Sequence, residues 1–142
     1  MKTLGKEAWI LLILKESPLD RIRIMKALFL LWYRHKEMVN DYFKFEPYLY
    51  GPCSFEVYEV LDFLLSHRMI TQLPHPVQQW GVYYLTPKGQ SKVDKITVNV
   101  NEKILEYIKN IVKEVAKLGF RDLLNKIYKE APEFAINSIF RI

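Results

Sequence analysis

Apolar side chains run without a break from Ala8 to Leu14, and after the polar step Lys15-Glu16-Ser17-Pro18 they return at helical spacing. The first run predicts a helix from about Gly5 to Glu16. Being apolar all the way round, it must be covered on most sides by a second layer of helices or by a partner subunit. Ser17-Pro18 pairs a capping hydroxyl with a proline suited to the first helical position, and predicts a long second helix reaching about Lys36. Leu19, Ile22, Met25, Phe29 and Trp32 form the side of that helix able to bury. Arg23, Lys26 and Arg34 make a basic stripe around Leu30, which reads as exposed.

The pattern then changes. In FEPYLYGPCSFEVYEVLDFLLSHRMI, Phe45 to Tyr50 predicts a lone strand that Gly51-Pro52 ends. Ser54 is a good cap for the next helix, Glu56 suits its first turn, and Val57, Val60, Leu61, Leu64 and Leu65 share one buried stripe. Met69 to Leu73 and Trp80 to Leu85 read as two strands of a hairpin with an irregular tip at Pro74 to Gln79. Strand, helix and hairpin together are the core of a winged helix-turn-helix, with Phe45 to Tyr50 as the expected third member of the wing sheet.

Thr86-Pro87 opens another helix to about Ile96. Asn101 caps a helix to Leu118 on which Ile104, Ile108, Ile111, Val115 and Leu118 recur as in a packed seam, with Lys109, Lys113 and Lys117 outside. Gly119 reads as a left-handed cap ending that helix. Arg121 to Glu130, burying Leu123, Leu124, Ile127 and Tyr128, forms the last one and stops at Ala131-Pro132. The expected fold class is therefore mainly α with a small antiparallel β-sheet (α+β). It is one domain over residues 1–142, with a winged-helix core at 1–97 and a C-terminal helical extension at 98–142.

Composition narrows the function classes. Half of the 142 residues are hydrophobic and 14% aromatic, which argues against disorder. No apolar run approaches the roughly 20 residues of a membrane span, no secretory leader is legible, and the single cysteine permits no internal disulfide. A cytoplasmic protein is expected. The net charge of +5 is unevenly placed: residues 1–52 carry a net of +3, 53–75 a net of −2, 76–100 and 101–142 each +2. The cations flank the central helix and are missing from it.

No catalytic pattern is present. His35, His67, His75 and Cys53 match no zinc spacing, no glycine-rich phosphate loop occurs, and Glu56 and Glu59 lie on a solvated helix face. No cofactor or metal is expected, and the chain reads as non-enzymatic. Two functions fit. A DNA-binding transcriptional regulator would use Arg21, Arg23, Lys26 and Arg34 of the second helix as phosphate contacts. Arg68, Gln78 and Gln79 would work at the wing, with Lys88 and Lys92 on flanking phosphates. Against it, the helix that would enter the major groove displays Glu56, Glu59 and Asp62. A protein-interaction module explains the acidic helix and the aromatic group Tyr42, Phe43, Phe45, Tyr48 and Tyr50, which otherwise fills the core. Homodimerisation through residues 5–16 and 101–118 is expected under either.

The run SPLDRIRIMKALFLLWY, followed by YLYGPCSFEVYEVLDFLLSHRMI and YYLTPKG, resembles the YwgA-like group of small bacterial and archaeal proteins. It resembles the wider Panacea-type antitoxin domain more weakly. The closing DLLNKIYKEAPEFAINSI, with Tyr128, Pro132, Glu133 and Phe134, looks like the last segment of the same group. YYLTPKG is also similar to the wing ending of PadR- and MarR-type regulators. The Panacea-type resemblance implies contact with a protein partner, neutralising a toxin or delivering it for proteolysis.

Overall fold

A computed structural model describes residues 4–140. The chain is mainly helical with two small antiparallel hairpins, in the order α1 (Lys6–Glu16), α2 (Arg21–Arg34), β1 (Glu46–Tyr48), β2 (Gly51–Cys53), α3 (Phe55–Ser66), β3 (Ile70–Leu73), β4 (Val82–Leu85), α4 (Pro87–Thr97), α5 (Glu102–Lys117) and α6 (Phe120–Glu130). Short 3-10 turns follow α2 at Lys36–Met38 and α6 at Pro132–Ala135. No helix among the described residues is long and apolar enough to cross a membrane.

Helix α1 is buried from Ala8 to Leu14, and α2, α3, α4, α5 and β4 of the same chain pack around it. Its all-round apolar surface therefore has intramolecular cover. Helix α2 is buried continuously from Ile24 to Leu31, with α5 along it. Phe29 is the aromatic centre, its ring 4.7 Å from that of Phe134 and 5.4 Å from that of Phe45. Tyr42, Phe43 and Phe45 join this core, while Tyr48 and Tyr50 stand exposed, so the aromatic group divides between interior and surface.

Local signals fix several elements. The Thr86 hydroxyl accepts from Gly89 N–H at 3.0 Å with Pro87 in the first turn, and Asn101 Oδ1 accepts from Lys103 N–H at 2.8 Å. Ser54 stands at the N-cap of α3, but its hydroxyl makes no capping bond, and the buried Ser54 N–H points at Met25 Sδ, 3.3 Å away.

Other expectations are corrected. Ser17-Pro18 does not open α2: the segment stays extended, Leu19 forms an antiparallel bridge to Tyr83, and α2 starts after Asp20. Proline's fixed φ serves an extended residue as well as a helical one, and the Tyr83 N–H to Leu19 carbonyl bond of 2.9 Å selects the former. α2 also ends at Arg34, short of Lys36. Residues near 45–50 do not join the β3–β4 hairpin: β1 pairs with β2 in a separate hairpin, Tyr48 opposite Gly51, and Gly51 at φ +86 makes the turn possible. Leu19 occupies the place beside β4 instead. Gly119 lies at φ −70, ψ 170 and precedes α6 as its N-cap, because the next helix starts at once and needs an extended residue there. Tyr128 is half-buried, its hydroxyl donating to Ser138 Oγ at 2.6 Å.

Candidate functional site

The basic stripe of α2 is turned inward. Leu30, at its middle, is fully buried. Arg23 pairs with the buried Asp20 at 2.9 Å and donates to the Leu118 carbonyl at 2.6 Å, clasping the end of α5. Lys26 is 4% exposed and donates to the carbonyls of Tyr50 (2.7 Å) and Pro52 (2.9 Å). Burial holds its pKa down to about 8. Arg34 reaches two carboxylates, Glu114 at 2.7 Å and Glu130 at 2.7 Å, tying α5 and α6 to α2. Hydrogen bonding to Glu130 raises its pKa despite burial, and bonding to Arg34 lowers that of Glu114. Arg21 lies with its guanidinium 4.5 Å from the Tyr58 ring and 5.2 Å from the Trp80 ring, joining α3 to the β3–β4 hairpin.

The other candidates lie further along the chain. Arg68 is exposed at φ +58, just past α3, and its carbonyl accepts from the Thr86 hydroxyl. Gln79 is exposed at the hairpin tip. Gln78 is half-buried there, its N–H and that of Val77 both donating to His75 Nδ1. Lys88 donates to the His67 carbonyl at 3.0 Å, and Lys92 is exposed on α4. Arg21, Arg23, Lys26 and Arg34 are thus committed to intramolecular partners. Of the remaining five, Gln78 lines one surface cleft together with Arg23, and Arg68, Gln79, Lys88 and Lys92 are exposed.

A different surface emerges on α3. Val57, Leu61 and Leu64 bury one side of the helix, so Phe55, Glu59, Asp62, Phe63 and Ser66 fall on the other. Phe55 and Phe63 are 54% and 48% exposed, and eight helical residues separate them by about 12 Å. The hairpin beside α3 shows Leu73, Val77 and Trp80 to solvent and carries no Lys, Arg, Asp or Glu from Met69 to Pro87. Arg21, stacked between Tyr58 and Trp80, makes α3 and the hairpin one continuous surface. Its visible chemistry is mainly aromatic, aliphatic and acidic, with Arg21 half-buried at the seam and Arg68 exposed at the end of α3.

The acidic character of α3 was legible from sequence, but the exposure of Phe55 and Phe63 was not, because an aromatic residue on an amphipathic helix reads first as core. The cue was their spacing of eight, out of phase with the Val57, Leu61, Leu64 stripe. Among the described residues no group of three or more His, Cys, Asp or Glu is placed to hold a metal ion. No protein-family model matches the chain, and no curated protein is similar enough to it to count as a match.

Proposed function

We propose that this chain is a non-enzymatic protein-interaction module of antitoxin or adaptor type, built on a winged helix-turn-helix frame. Its α3–hairpin face receives a basic, apolar segment of a partner protein. The frame reading rests on element order: helix, extended Leu19, two helices, then a hairpin whose β4 is bridged by Leu19. The β1–β2 hairpin is an insertion between the second and third helices.

One observation carries the function. From Phe55 to Pro87, the stretch that would read a groove, the only Lys or Arg is Arg68, while Glu59 and Asp62 are exposed beside Phe55, Phe63 and Trp80. Duplex affinity depends on cations replacing counterions, so carboxylates facing phosphates oppose it. The same surface suits an amphipathic helix with apolar anchors and Lys or Arg alongside them, since anchors fill pockets and opposite charge steers the encounter.

The test compares two labelled probes by fluorescence anisotropy, a generic duplex DNA and an amphipathic Leu/Lys peptide helix, each at low and near-physiological salt. The wild type is expected to bind the peptide. Glu59→Lys with Asp62→Lys, and separately Phe63→Ala, should each weaken that binding about tenfold or more. The double reversal should raise duplex affinity. Tight, salt-sensitive duplex binding by the wild type, reduced by Arg68→Ala or Lys88→Ala, would overturn the proposal in favour of a DNA-binding regulator that works from the wing.

A further inference from the structure

Between the β1–β2 hairpin and helices α2 and α3 the surface opens into a cleft of about 170 Å³. Ile22, Met25, Tyr48, Phe55 and Tyr58 wall it with apolar and aromatic surface, and Lys26 lies at its base. The Lys26 ammonium has three N–H groups. Two go to the Tyr50 and Pro52 carbonyls, which leaves one. Among the described residues no carboxylate forms an ion pair with it. The neighbouring titratable groups supply no negative charge either: burial raises the pKa of the Cys53 thiol, and pushes the Tyr58 hydroxyl up to about 12. A 4% exposed cation with carbonyl partners but no counter-ion is an unbalanced arrangement, since burying a charge is costly unless an opposite charge accompanies it.

We propose that this cleft binds a small monocyclic aromatic carboxylate, its ring among Tyr48, Phe55 and Tyr58 and its carboxylate on the third Lys26 N–H. The size is suitable, because an apolar cavity of roughly 150 Å³ accommodates benzene. The polar contact is a charge-assisted hydrogen bond in a poorly solvated place, where such bonds are strong. Occupancy would also brace the β1–β2 hairpin, whose ladder is only three residue pairs long, through Lys26 and Tyr48 together. The site does not rest on the partner-binding reading, although Phe55 and Tyr58 border both surfaces.

The experiment titrates the full chain with benzoate, phenylacetate, benzyl alcohol and benzylamine, following amide shifts by NMR. In parallel, the rate at which a thiol reagent modifies Cys53 is measured; Cys53 is the only cysteine and lines the cleft. Expected are saturable binding of at least one acid at about millimolar concentration, with shifts confined to the cleft, and slowed Cys53 modification. The alcohol should bind about tenfold more weakly and the amine not at all. Lys26→Met should lose the preference for acid over alcohol, and Phe55→Ala, an exposed substitution that leaves the core intact, should weaken both ligands. Absence of saturable acid binding, shifts centred elsewhere, equal affinity for acid and alcohol, or a preserved preference in Lys26→Met would each overturn the proposal. If Lys26→Met does not fold, the acid-to-alcohol ratio and Cys53 protection in the wild type decide alone.

Discussion

Replacing Lys26 by Met removes a buried charge while keeping side-chain length, and the consequence is best read as a function of pH. In the folded chain the Lys26 pKa lies at about 8, mainly through burial, against an ordinary 10.5. Unfolded chains therefore bind the Lys26 proton more tightly than folded ones. Stability contributed by this group must rise with pH from about 8 towards 10.5, as the penalty for the buried charge is relieved. The difference of about 2.5 pH units corresponds to about 3 kcal/mol. Most of that, roughly 2 to 3 kcal/mol, falls between neutral pH and about pH 10. Deprotonation sacrifices little geometry, because a neutral amine keeps two N–H groups for the Tyr50 and Pro52 carbonyls.

Tyr42, Tyr58 and Tyr83 act in the opposite sense. Burial raises their pKa values, so the folded state retains protons that the unfolded chain loses, and stability falls as the medium becomes alkaline. These groups are common to both proteins and largely cancel in the difference. The assay is urea unfolding followed by circular dichroism at several pH values. The wild-type minus Lys26→Met free energy should become more positive by about 2 to 3 kcal/mol across the window. Parallel curves would refute the reasoning and mean that the ammonium is adequately solvated or paired.

Three further outcomes are expected. Arg34→Met should destabilise by about 1 to 3 kcal/mol in chemical denaturation, because Glu114 and Glu130 lose their shared partner in a half-buried place. Leu61→Ala, at a fully buried position of α3, should cost about 2 to 5 kcal/mol, whereas Phe63→Ala two residues later should stay within about 0.5 kcal/mol; similar losses at both would mean that α3 is rotated. Gly89→Ala places a methyl group into the Met69 carbonyl oxygen, backbone against side chain, and should lower the melting temperature sharply, while Gly119→Ala, which meets nothing, should leave it nearly unchanged.

The chemistry of α2 shows where reading residues in order reaches its limit. Arg23, Lys26 and Arg34 look like a solvated or phosphate-facing stripe, and only Arg23 pairs with a nearby carboxylate, that of Asp20 three residues before it. Apart from Asp20, their partners lie far away in the chain. Leu118 is 95 residues from Arg23, Tyr50 and Pro52 are 24 and 26 from Lys26, and Glu114 and Glu130 are 80 and 96 from Arg34. A basic side chain near an amphipathic helix is compatible with solvent, phosphate or a distant carboxylate, and only the packing of α5 and α6 onto α2 distinguishes them. The Phe55–Phe63 surface was hidden for the converse reason: aromatic residues usually fill cores, and here the filling is done by Tyr42, Phe43 and Phe45.

What the sequence determined by itself is the part governed by short-range physics. The helical content, the all-round burial of α1, the Thr86-Pro87 and Asn101 caps, the buried faces of α3, α5 and α6 and the β3–β4 hairpin all follow from spacing and from hydrogen bonds a few residues long. Only the tertiary structure decided that Ser17 to Leu19 would serve a sheet rather than a helix, that β1 would pair with β2, and that Gly119 would precede a helix rather than end one. In each case the local chain accepts either conformation at similar cost. At Leu19 the choice was made by Tyr83, a hydrogen-bonding partner far along the chain, at β1 by the turn into β2, and at Gly119 by the helix that starts directly after it.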